Sequence, residues 1–291
     1  IPIAHAHGGE LTKGSLDDSI RHSITKMSQV HFTAAEPYRQ RVIQLGEDPT
    51  SVWNVGGFGV DAALNANLLD KSTLERLLGV AISDRTLIVT FHPETGIACG
   101  RADSQMIELL SALEEIDGQF IFTMPNADTE GRVLFGMIEE FVRQNTERAK
   151  AFTSLGQLRY LSCLKHVDAV VGNSSSGLAE APSFQIGTVN IGDRQRGRLK
   201  ATSVIDCEPD HDSIRHALEK LYSSSFQNQL ASAQNPYGEG GDEGYQSLPG
   251  LNLGIRLIEA GKLLSREGSR RLFFLYRRVS RSISHVAIPL L

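Results

Sequence analysis

The sequence predicts an α/β protein, because short apolar runs alternate with amphipathic segments along most of its 291 residues. Residues 87–91 and 188–191 are two such runs, and each ends at polar or glycine-containing residues. Strands that alternate with helices form parallel sheets covered on both faces. A chain of this length suggests about two domains, so we expect two Rossmann-like domains with parallel sheets and a cleft between them.

The individual elements follow from hydrophobic periodicity and capping residues. The predicted strands are residues 1–4, 31–33, 52–55, 87–91, 119–123, 169–171, 188–191 and 203–205. The predicted helical segments are residues 17–27, 37–45, 69–78, 104–115, 131–145, 158–164, 177–182 and 212–222. Residues 56–63, "GGFGVDAA", are predicted to be a turn. The pattern divides near residues 80–84, giving an N-terminal domain at 1–82, a second domain at 83–240 and a divergent basic tail at 241–291.

Charge and composition exclude some classes of partner. The chain is 41% hydrophobic with a net charge of −5, which favours neither nucleic acid nor an anionic membrane. Charge is uneven, since residues 246–291 contain eight Arg or Lys against two Glu. That tail lacks the strand and helix pattern of the preceding residues. We interpret it as a divergent or poorly ordered end, with a docking or membrane-surface segment as the alternative.

The cysteines and the first residues indicate the compartment and the extent of the chain. Cys99, Cys163 and Cys207 are odd in number, widely spaced and in no Cys-x-x-Cys pair, which fits a reduced cytoplasm rather than a disulfide framework or a zinc knuckle. No apolar run reaches the roughly 18 to 20 residues of a membrane-spanning helix. The chain opens without methionine on an apolar strand, so we expect the natural protein to start upstream.

Ligands of open α/β sheets bind at the carboxyl ends of the strands. The polar residues that follow the predicted strands are therefore the candidate site residues: His5, His7 and Glu10; His92 and Glu94; Asn126 and Asp128; Asn173 to Ser176; Arg194 to Arg198. In "GNSSSG" a strand leads into a helix, where backbone N–H groups and serine hydroxyls favour an anion. The serines alone would also serve as ordinary helix caps. The arginines after the next strand favour a diphosphate, because arginine suits phosphate oxygens.

Two other clusters carry titratable groups. His92 ends a strand before a proline, as a phosphate donor, a proton-transfer group or a packed structural histidine. The segment "HAHGGELTKGSLDDSIRH" combines imidazoles with Glu10, Asp17, Asp18 and Arg21. It suits acid–base chemistry on a sugar carbon, while Asp17 or Asp18 would also cap a helix. There is no metal signature in the spacing.

Several motifs together resemble the hydrolysing UDP-N-acetylglucosamine 2-epimerases of sialic acid and other nonulosonic acid biosynthesis. They run in order from residue 1 to about 240: "HAHGGELTKGSLDDSIRHSITKMSQVHF", "YRQRVIQLGEDPTSVWNVG", "VTFHPET", "MPNADTEGR", "VVGNSSSGLAEAPSF", "VNIGDRQRGR" and "NPYGEG". The resemblance implies the two-domain glycosyltransferase-B fold with the active site in the interdomain cleft. It also implies C2 deprotonation of UDP-N-acetylglucosamine, loss of UDP to leave a glycal, and hydration to N-acetylmannosamine, with no metal or redox cofactor.

The resemblance also assigns residues. It implies that UDP and sugar are held by His7, His92, Asn126, Asp128, Ser174, Ser175, Glu180, Arg194 and Arg198. It places Glu10, Asp17, Asp18, Arg21 and His92 in the acid–base set, and it implies a homodimer or homotetramer. The pattern departs from the family at the start, where a catalytic aspartate and basic residues are absent, and at His7, where some relatives have glutamate. The alternatives are a non-hydrolysing 2-epimerase, a glycosyltransferase of the same fold, and an inactive UDP-binding fragment.

Overall fold

A computed structural model describes residues 3–12, 16–93, 102–125, 129–239 and 287–289. The contacts divide the chain into two compact units. Unit 1 comprises Ile1–Leu11, Leu16–Asp61 and Tyr237–Leu291, and unit 2 comprises Thr12–Ser15 and Ala62–Pro236. Each unit is built around its own mainly parallel sheet, so the predicted α/β class with two parallel-sheet units is confirmed.

Unit 1 contains a sheet in the order β10-β1-β2-β3. Its elements, in chain order, are β1 (Ile3–Ala6), α1 (Leu16–Met27), β2 (Val30–Thr33), α2 (Glu36–Gln44) and β3 (Val52–Asn54), with β10 (Ala287–Pro289) at the end of the chain. The first three strands are parallel, with His5 opposite His31 and His31 opposite Val52. The local sequence explains the helix starts, since α1 has acidic residues in its first turn and α2 has a proline there.

Strand β10 corrects the prediction that the basic tail lacks strand structure. Three residues of that tail pair antiparallel with β1, with Ile3 opposite Pro289 and His5 opposite Ala287. The sequence could not indicate this pairing because it depends on the backbone groups of a distant edge strand, which need hydrogen-bond partners. The rest of the predicted tail lies outside the described residues, so its interpretation as a divergent or poorly ordered end stays a prediction.

The segment "GGFGVDAA" is also corrected, because most of it is helical. Helix α3 spans Phe58–Asn65 and starts after Gly57, whose carbonyl accepts hydrogen bonds from the N–H groups of Val60 and Asp61. Val60 and Ala63 lie three residues apart and are 1% and 2% exposed. Burial of that face stabilises a helix whose glycines alone favour a turn.

Unit 2 contains a six-stranded parallel sheet in the order β6-β5-β4-β7-β8-β9. Its elements, in chain order, are α4 (Lys71–Leu78), β4 (Thr86–Thr90), α5 (Ala102–Glu114), β5 (Gln119–Thr123), α6 (Thr129–Gln144), β6 (Ala149–Phe152), α7 (Gly156–Leu164), β7 (Ala169–Gly172), α8 (Ser176–Ala179), β8 (Gly187–Ile191), β9 (Val204–Cys207), α9 (His211–Leu221) and α10 (Ser224–Leu230). The order is that of a dinucleotide-binding doubly wound sheet. Successive strands are added on one side of β4 up to β6 and then on its other side from β7, so the strand order reverses between β4 and β7.

The central strands are buried on both faces. Leu87 and Val89 belong to one apolar cluster, while Ile88 between them belongs to a second cluster on the other face. All three are at most 1% exposed. Full burial of each such side chain stabilises the fold by about 1.5–3 kcal/mol. Burial therefore fixes β4 in the sheet, and the candidate site lies at the carboxyl end of this strand.

Residues 62–82, which we predicted as part of the first domain, fall in unit 2. The reason is packing, because Leu74 and Leu78 of α4 share a buried cluster with Leu161 and Leu164 of α7. Strand β6 and helix α10 were not predicted. The β6 segment "AKAF" is short and only Ala149 in it is buried, so its sequence has little strand signal. Within the described residues, no helix combines the length and hydrophobicity that crossing a bilayer requires.

Candidate functional site

The candidate site of unit 2 lies at the carboxyl ends of β4, β7 and β8, which are neighbours in the sheet. His92 follows β4, residues 173–176 follow β7, and Arg194 follows β8. Strand β4 is the first strand of the unit's sheet and β7 lies on its opposite side from β5. Ligands of doubly wound sheets bind where the strand order reverses in this way.

Gly172 permits the close approach of β7 to β4 at this point. Its φ is 128°, and a Cβ atom at this position would collide with the carbonyl of Thr90. The next residue continues the contact, since the Asn173 N–H donates to that same carbonyl at 3.1 Å. Glycine is therefore required here both by the backbone angle and by space.

Asn173 connects the end of β7 to His92. The backbone N–H of His92 donates to Oδ1 of Asn173 at 2.7 Å, and Nδ2 of Asn173 donates to the carbonyl of His92 at 2.8 Å. Asn173 is 0% exposed. The side-chain amide thus pairs with both backbone groups of His92. It fixes that residue at the start of the turn formed by residues 174–176, which we call the serine turn.

The carbonyl of Asn173 connects the same turn to the loop after β8. It accepts from Nη1 of Arg194 at 3.0 Å and from Nε2 of Gln195 at 2.7 Å. Ser174 and Ser175, the next two residues, are half-buried. The structure therefore brings His92, the serines and Arg194 together, with a cation and small hydroxyls at the end of two adjacent strands.

The other two arginines of "DRQRGR" lie elsewhere. Arg196 is exposed and pairs with Asp193 at 3.3 Å. Arg198 lines a cavity of about 560 Å³ that also contains Lys200, Asp206 and Glu208. Arg196 lines the same cavity, whereas Arg194 donates to the carbonyl of Asn173, the residue before the serines.

Glu180 lies one short helix beyond the serines, half-buried, at the end of α8. Its neighbours include Tyr160 of α7, whose pKa is raised by burial, opposed by the hydroxyl of Ser176 and reinforced by Glu180. The phenol is therefore neutral at physiological pH. Asn235 of "NPYGEG" secures this region, donating from Nδ2 to the carbonyl of Ala179 and to Oγ of Ser183, both at 2.7 Å.

In unit 1, His7 and Glu10 form a hydrogen-bonded pair. The distance from His7 Nδ1 to Glu10 Oε1 is 2.8 Å, and the side chains are 26% and 7% exposed. His7 has a φ of 61° and its ring lies 5.1 Å from that of Phe58. A neutral imidazole that donates from Nδ1 presents Nε2 as an acceptor, so this pair has the arrangement of a proton-transfer dyad.

Arg21 is a buried connector between the loop after β1 and helix α1. It is 1% exposed, and its Nη1 donates to the carbonyl of Glu10 at 2.9 Å and to Oδ1 of Asp18 at 2.7 Å. Asp18 is half-buried, whereas Asp17 is exposed at the first turn of α1. Arg21 therefore links the carbonyl of Glu10 to the carboxylate of Asp18, and its place in the acid–base set stays a prediction.

His5 is fully buried and bonds within unit 1. Thr25 Oγ1 donates to the Arg21 carbonyl at 3.1 Å, so its contact with His5 Nδ1, also 3.1 Å, requires the imidazole to donate. Glu94, Asn126 and Asp128 lie outside the described residues. In the part of the chain that the structure describes, no three His, Cys, Asp or Glu side chains are grouped to hold a metal ion.

Asn173 and Gln195 lie within the predicted candidate ranges without a role of their own, and Tyr160 was not selected. A signal was present for Asn173, because it is the first residue after a buried strand. Gln195 stands between arginines and is 2% exposed, which no periodicity in a loop reveals. Tyr160 belongs to an amphipathic helix, where an aromatic residue is more often part of the core.

The fold is that of the glycosyltransferase-B class, with two Rossmann-like α/β units. The model of the UDP-N-acetylglucosamine 2-epimerase family matches residues 1–243. The chain therefore belongs to that family, as the motifs predicted.

Relatives and solved structures agree with this membership. A Campylobacter jejuni protein named GDP/UDP-N,N'-diacetylbacillosamine 2-epimerase (hydrolyzing) is 40% identical over 227 residues, covering 78% of this chain and 58% of the relative. Polysialic acid biosynthesis protein P7 of Escherichia coli is 40% identical over 239 residues, covering 81% and 60%. The chain thus spans less than two thirds of the length of either relative.

The crystal structure of UDP-GlcNAc 2-epimerase from Neisseria meningitidis bound to UDP-GlcNAc has a TM-score of 0.69 with this chain. It is 14% identical, and the match covers 89% of this chain and 70% of that one. At this identity the match shows the shared fold.

Proposed function

We propose that this chain has the activity of a hydrolysing UDP-N-acetylglucosamine 2-epimerase, which converts UDP-N-acetylglucosamine and water to N-acetylmannosamine and UDP. The observation that carries the proposal is the convergence of Arg194, His92 and the serine turn on Asn173 in unit 2. A cation, small hydroxyls and backbone N–H groups at a strand end suit a diphosphate. The name of the Campylobacter jejuni relative, at 40% identity, supports nucleotide-sugar epimerisation.

The UDP-binding roles are assigned as follows. Arg194, His92, Ser174 and Ser175 hold the diphosphate, and Glu180 accepts from the ribose hydroxyls. Asn126, Asp128 and Arg198 complete the set that the resemblance implies. Tyr160, neutral and adjacent to Ser176 and Glu180, offers an aromatic surface at the nucleoside end. These groups bind and orient UDP and neutralise the charge that develops on it as it leaves.

The sugar-side roles belong to unit 1. Glu10, paired with His7, takes part in removing the C2 proton, and the buried Arg21 holds Glu10 and Asp18 in place. Asp17 and Asp18 supply further carboxylates. The C2–H electron pair forms the C1–C2 double bond as the C1–O bond breaks, and UDP leaves with the electron pair of the C1–O bond. Addition of water to the glycal then gives N-acetylmannosamine, so the overall reaction consumes one water.

The same chemistry on UDP-N,N'-diacetylbacillosamine is the second candidate. Two relatives carry that sugar in their names, the Campylobacter jejuni protein and a Legionella pneumophila protein 30% identical over 263 residues. Both names include the word hydrolyzing, which favours free sugar plus UDP over a UDP-linked product. A non-hydrolysing epimerase would instead return the UDP-sugar.

We also propose a cytoplasmic location and a homodimer or homotetramer for the full-length protein. Widely spaced cysteines support the first. Cys163 and Cys207 are free, and burial raises the pKa of each thiol to about 12. They are therefore protonated at neutral pH and carry no nucleophilic role in the reaction.

The test is a proton NMR time course in deuterated water with UDP-N-acetylglucosamine and, in parallel, UDP-N,N'-diacetylbacillosamine. Free sugar deuterated at C2 together with UDP is expected, and the faster substrate identifies the sugar. A UDP-linked product deuterated at C2 would establish the non-hydrolysing reaction instead. Unchanged substrate with broadened uridine signals would make the chain an inactive UDP-binding fragment, and unchanged, sharp signals would refute UDP binding.

A further inference from the structure

Asn173 is the residue of unit 2 through which three strand ends meet. Its side chain bonds to the residue after β4, its own backbone continues β7, and its carbonyl binds two residues after β8. Its N–H also donates to the Thr90 carbonyl. The side chain, the N–H and the carbonyl of this fully buried asparagine all form hydrogen bonds, so Asn173 connects the three strand ends.

We propose that Asn173 is a positioning residue that sets the distance between His92 and Arg194, and so determines affinity for the diphosphate part of the ligand rather than for its nucleoside. This inference rests on the proposed function, because it assumes that UDP binds at these strand ends. Asn173 itself is buried, its Nδ2 donates to the His92 carbonyl and its Oδ1 accepts from the His92 N–H, so it acts through its neighbours.

The side-chain amide defines the position of His92. Both backbone groups of His92 are paired with it, at 2.7 and 2.8 Å. His92 stands beyond the last residue of β4 in the ladder, so the amide replaces the strand pairing that ends there. Without it the backbone groups of His92 would have to find other partners, and the residue would no longer be fixed to Asn173.

The carbonyl defines the position of Arg194. It is shared between Nη1 of Arg194 and Nε2 of Gln195, and so fills both of its acceptor positions. Gln195 is 2% exposed and prevents the loop after β8 from moving away. Nη1 of Arg194 is thereby held at the carbonyl of Asn173, the residue before Ser174.

The chemistry requires this precision only at the phosphates. A diphosphate presents several oxygens that must meet a cation, an imidazole and hydroxyls at once, and charge-assisted hydrogen bonds are lost with small displacements. The nucleoside is bound by groups that do not contact Asn173, such as Tyr160 and Glu180 under the proposed function. Uridine affinity is therefore expected to be insensitive to this residue.

The experiment compares Asn173→Ala with Asn190→Ala by calorimetric titration of the full chain with UDP, UMP and uridine. Asn190 is the matched control, since it is 1% exposed on the neighbouring strand β8, opposite Gly172, and its Nδ2 donates to Asp206 at 2.7 Å rather than to His92. Asn173→Ala is expected to weaken UDP binding by about tenfold or more, from the loss of aligned charged hydrogen bonds. Uridine affinity should change less than twofold, and Asn190→Ala should leave both affinities intact.

A double-mutant cycle separates positioning from direct contact. In an Arg194→Ala, His92→Ala background, Asn173→Ala should cost little further UDP affinity, because it acts through those two residues. Two results would overturn the inference. One is an equal loss of affinity for uridine and UDP, and the other is an undiminished loss of UDP affinity when Asn173→Ala is added to the variant that carries Arg194→Ala and His92→Ala. Should Asn173→Ala not fold by circular dichroism, Gln195→Met takes its place. It removes one donor to the Asn173 carbonyl at nearly constant shape, and unchanged UDP affinity in that variant would also overturn the inference.

The two levels of proposal fail in different ways. A wild-type chain that binds neither UDP nor uridine refutes the proposed function. A wild-type chain that binds UDP, together with an Asn173→Ala variant that binds it equally well, refutes only the role of Asn173.

Discussion

The contacts of a single residue, rather than its amino-acid type, distinguish the candidate roles in this protein. Three arginines follow β8, but only Arg194 reaches the carbonyl of Asn173, while Arg196 pairs with Asp193 in solvent. The sequence predicted arginines at this strand end and could not rank them. Their ranking depends on the turn of the loop at residues 193–198, which no periodicity encodes.

Replacing Arg194 with alanine is expected to weaken UDP binding by about tenfold or more, because a hydrogen bond to a charged group contributes about 1.5–3 kcal/mol. Arg196→Ala is the matched control, since its guanidinium is exposed and pairs with Asp193, and an exposed ion pair contributes about 0–1 kcal/mol to stability. The measurement is the UDP dissociation constant by calorimetry. Identical constants for wild type and the Arg194 variant would contradict the assignment.

At the level of elements, the short helix α8 is held against β8 by a glycine. Thr188 Oγ1 donates to the Gly177 carbonyl at 2.7 Å, and a methyl group on Gly177 would stand 2.6 Å from Thr188 Cγ2. The predicted helix start was therefore correct in place, but the helix ends after Ala179 and continues as a 3-10 turn at Ala181–Phe184. Pro182 and the close packing on β8 account for the shortness.

Two glycine substitutions should act in opposite directions. Gly177→Ala is expected to destabilise unit 2 by about 1–3 kcal/mol through overpacking. Gly136→Ala is the matched control in the middle of α6, where an added Cβ meets nothing within 4 Å. It should stabilise by about 0.5–1 kcal/mol from helix propensity. Urea unfolding followed by circular dichroism measures both, and a stable Gly177→Ala variant would show that α8 is free to shift.

At the level of the whole molecule, the two units contain buried titratable groups that respond to pH with opposite signs. In unit 1, burial lowers the pKa of His31, although Glu47 opposes the shift, and burial likewise lowers the pKa of His22. In unit 2, burial raises the pKa of Asp168, although the N–H groups of Thr86 and Arg85 oppose the shift. Each unit can be followed separately, because the single tryptophan, Trp53, lies in β3 of unit 1.

Unit 1 is expected to lose stability as pH falls below about 6.5. A histidine whose folded pKa is lowered binds its proton more readily in the unfolded chain, so the free energy of unfolding decreases through the window between the two pKa values. The measurement is the urea midpoint of Trp53 fluorescence at pH 7.5 and 5.5. His31→Gln should reduce the difference, and equal midpoints for the wild type would contradict the shift.

Unit 2 is expected to gain from Asp168→Asn at neutral pH. A carboxyl whose folded pKa is raised stabilises the protein fully below its unfolded pKa of about 3.8, and that stability is lost as pH rises through the folded pKa. The variant should therefore exceed the wild type in melting temperature at pH 7 by more than at pH 4. UDP affinity should be unchanged, because Asp168 precedes β7 at the end opposite the serine turn.

The sequence by itself determined the fold class, the family and the strand ends that carry the chemistry. Those features are local, since the apolar runs of β4 and β7 and the motif "GNSSSG" are each read from consecutive residues. Tertiary structure decided which of the candidate residues act together. It buried Arg21 against Glu10 and Asp18, paired His7 with Glu10, and brought His92 and Arg194 to Asn173 across 81 and 21 residues of sequence. Such contacts arise from the order in which strands pair, and strand order is a property of the packed sheet that no single stretch of sequence contains.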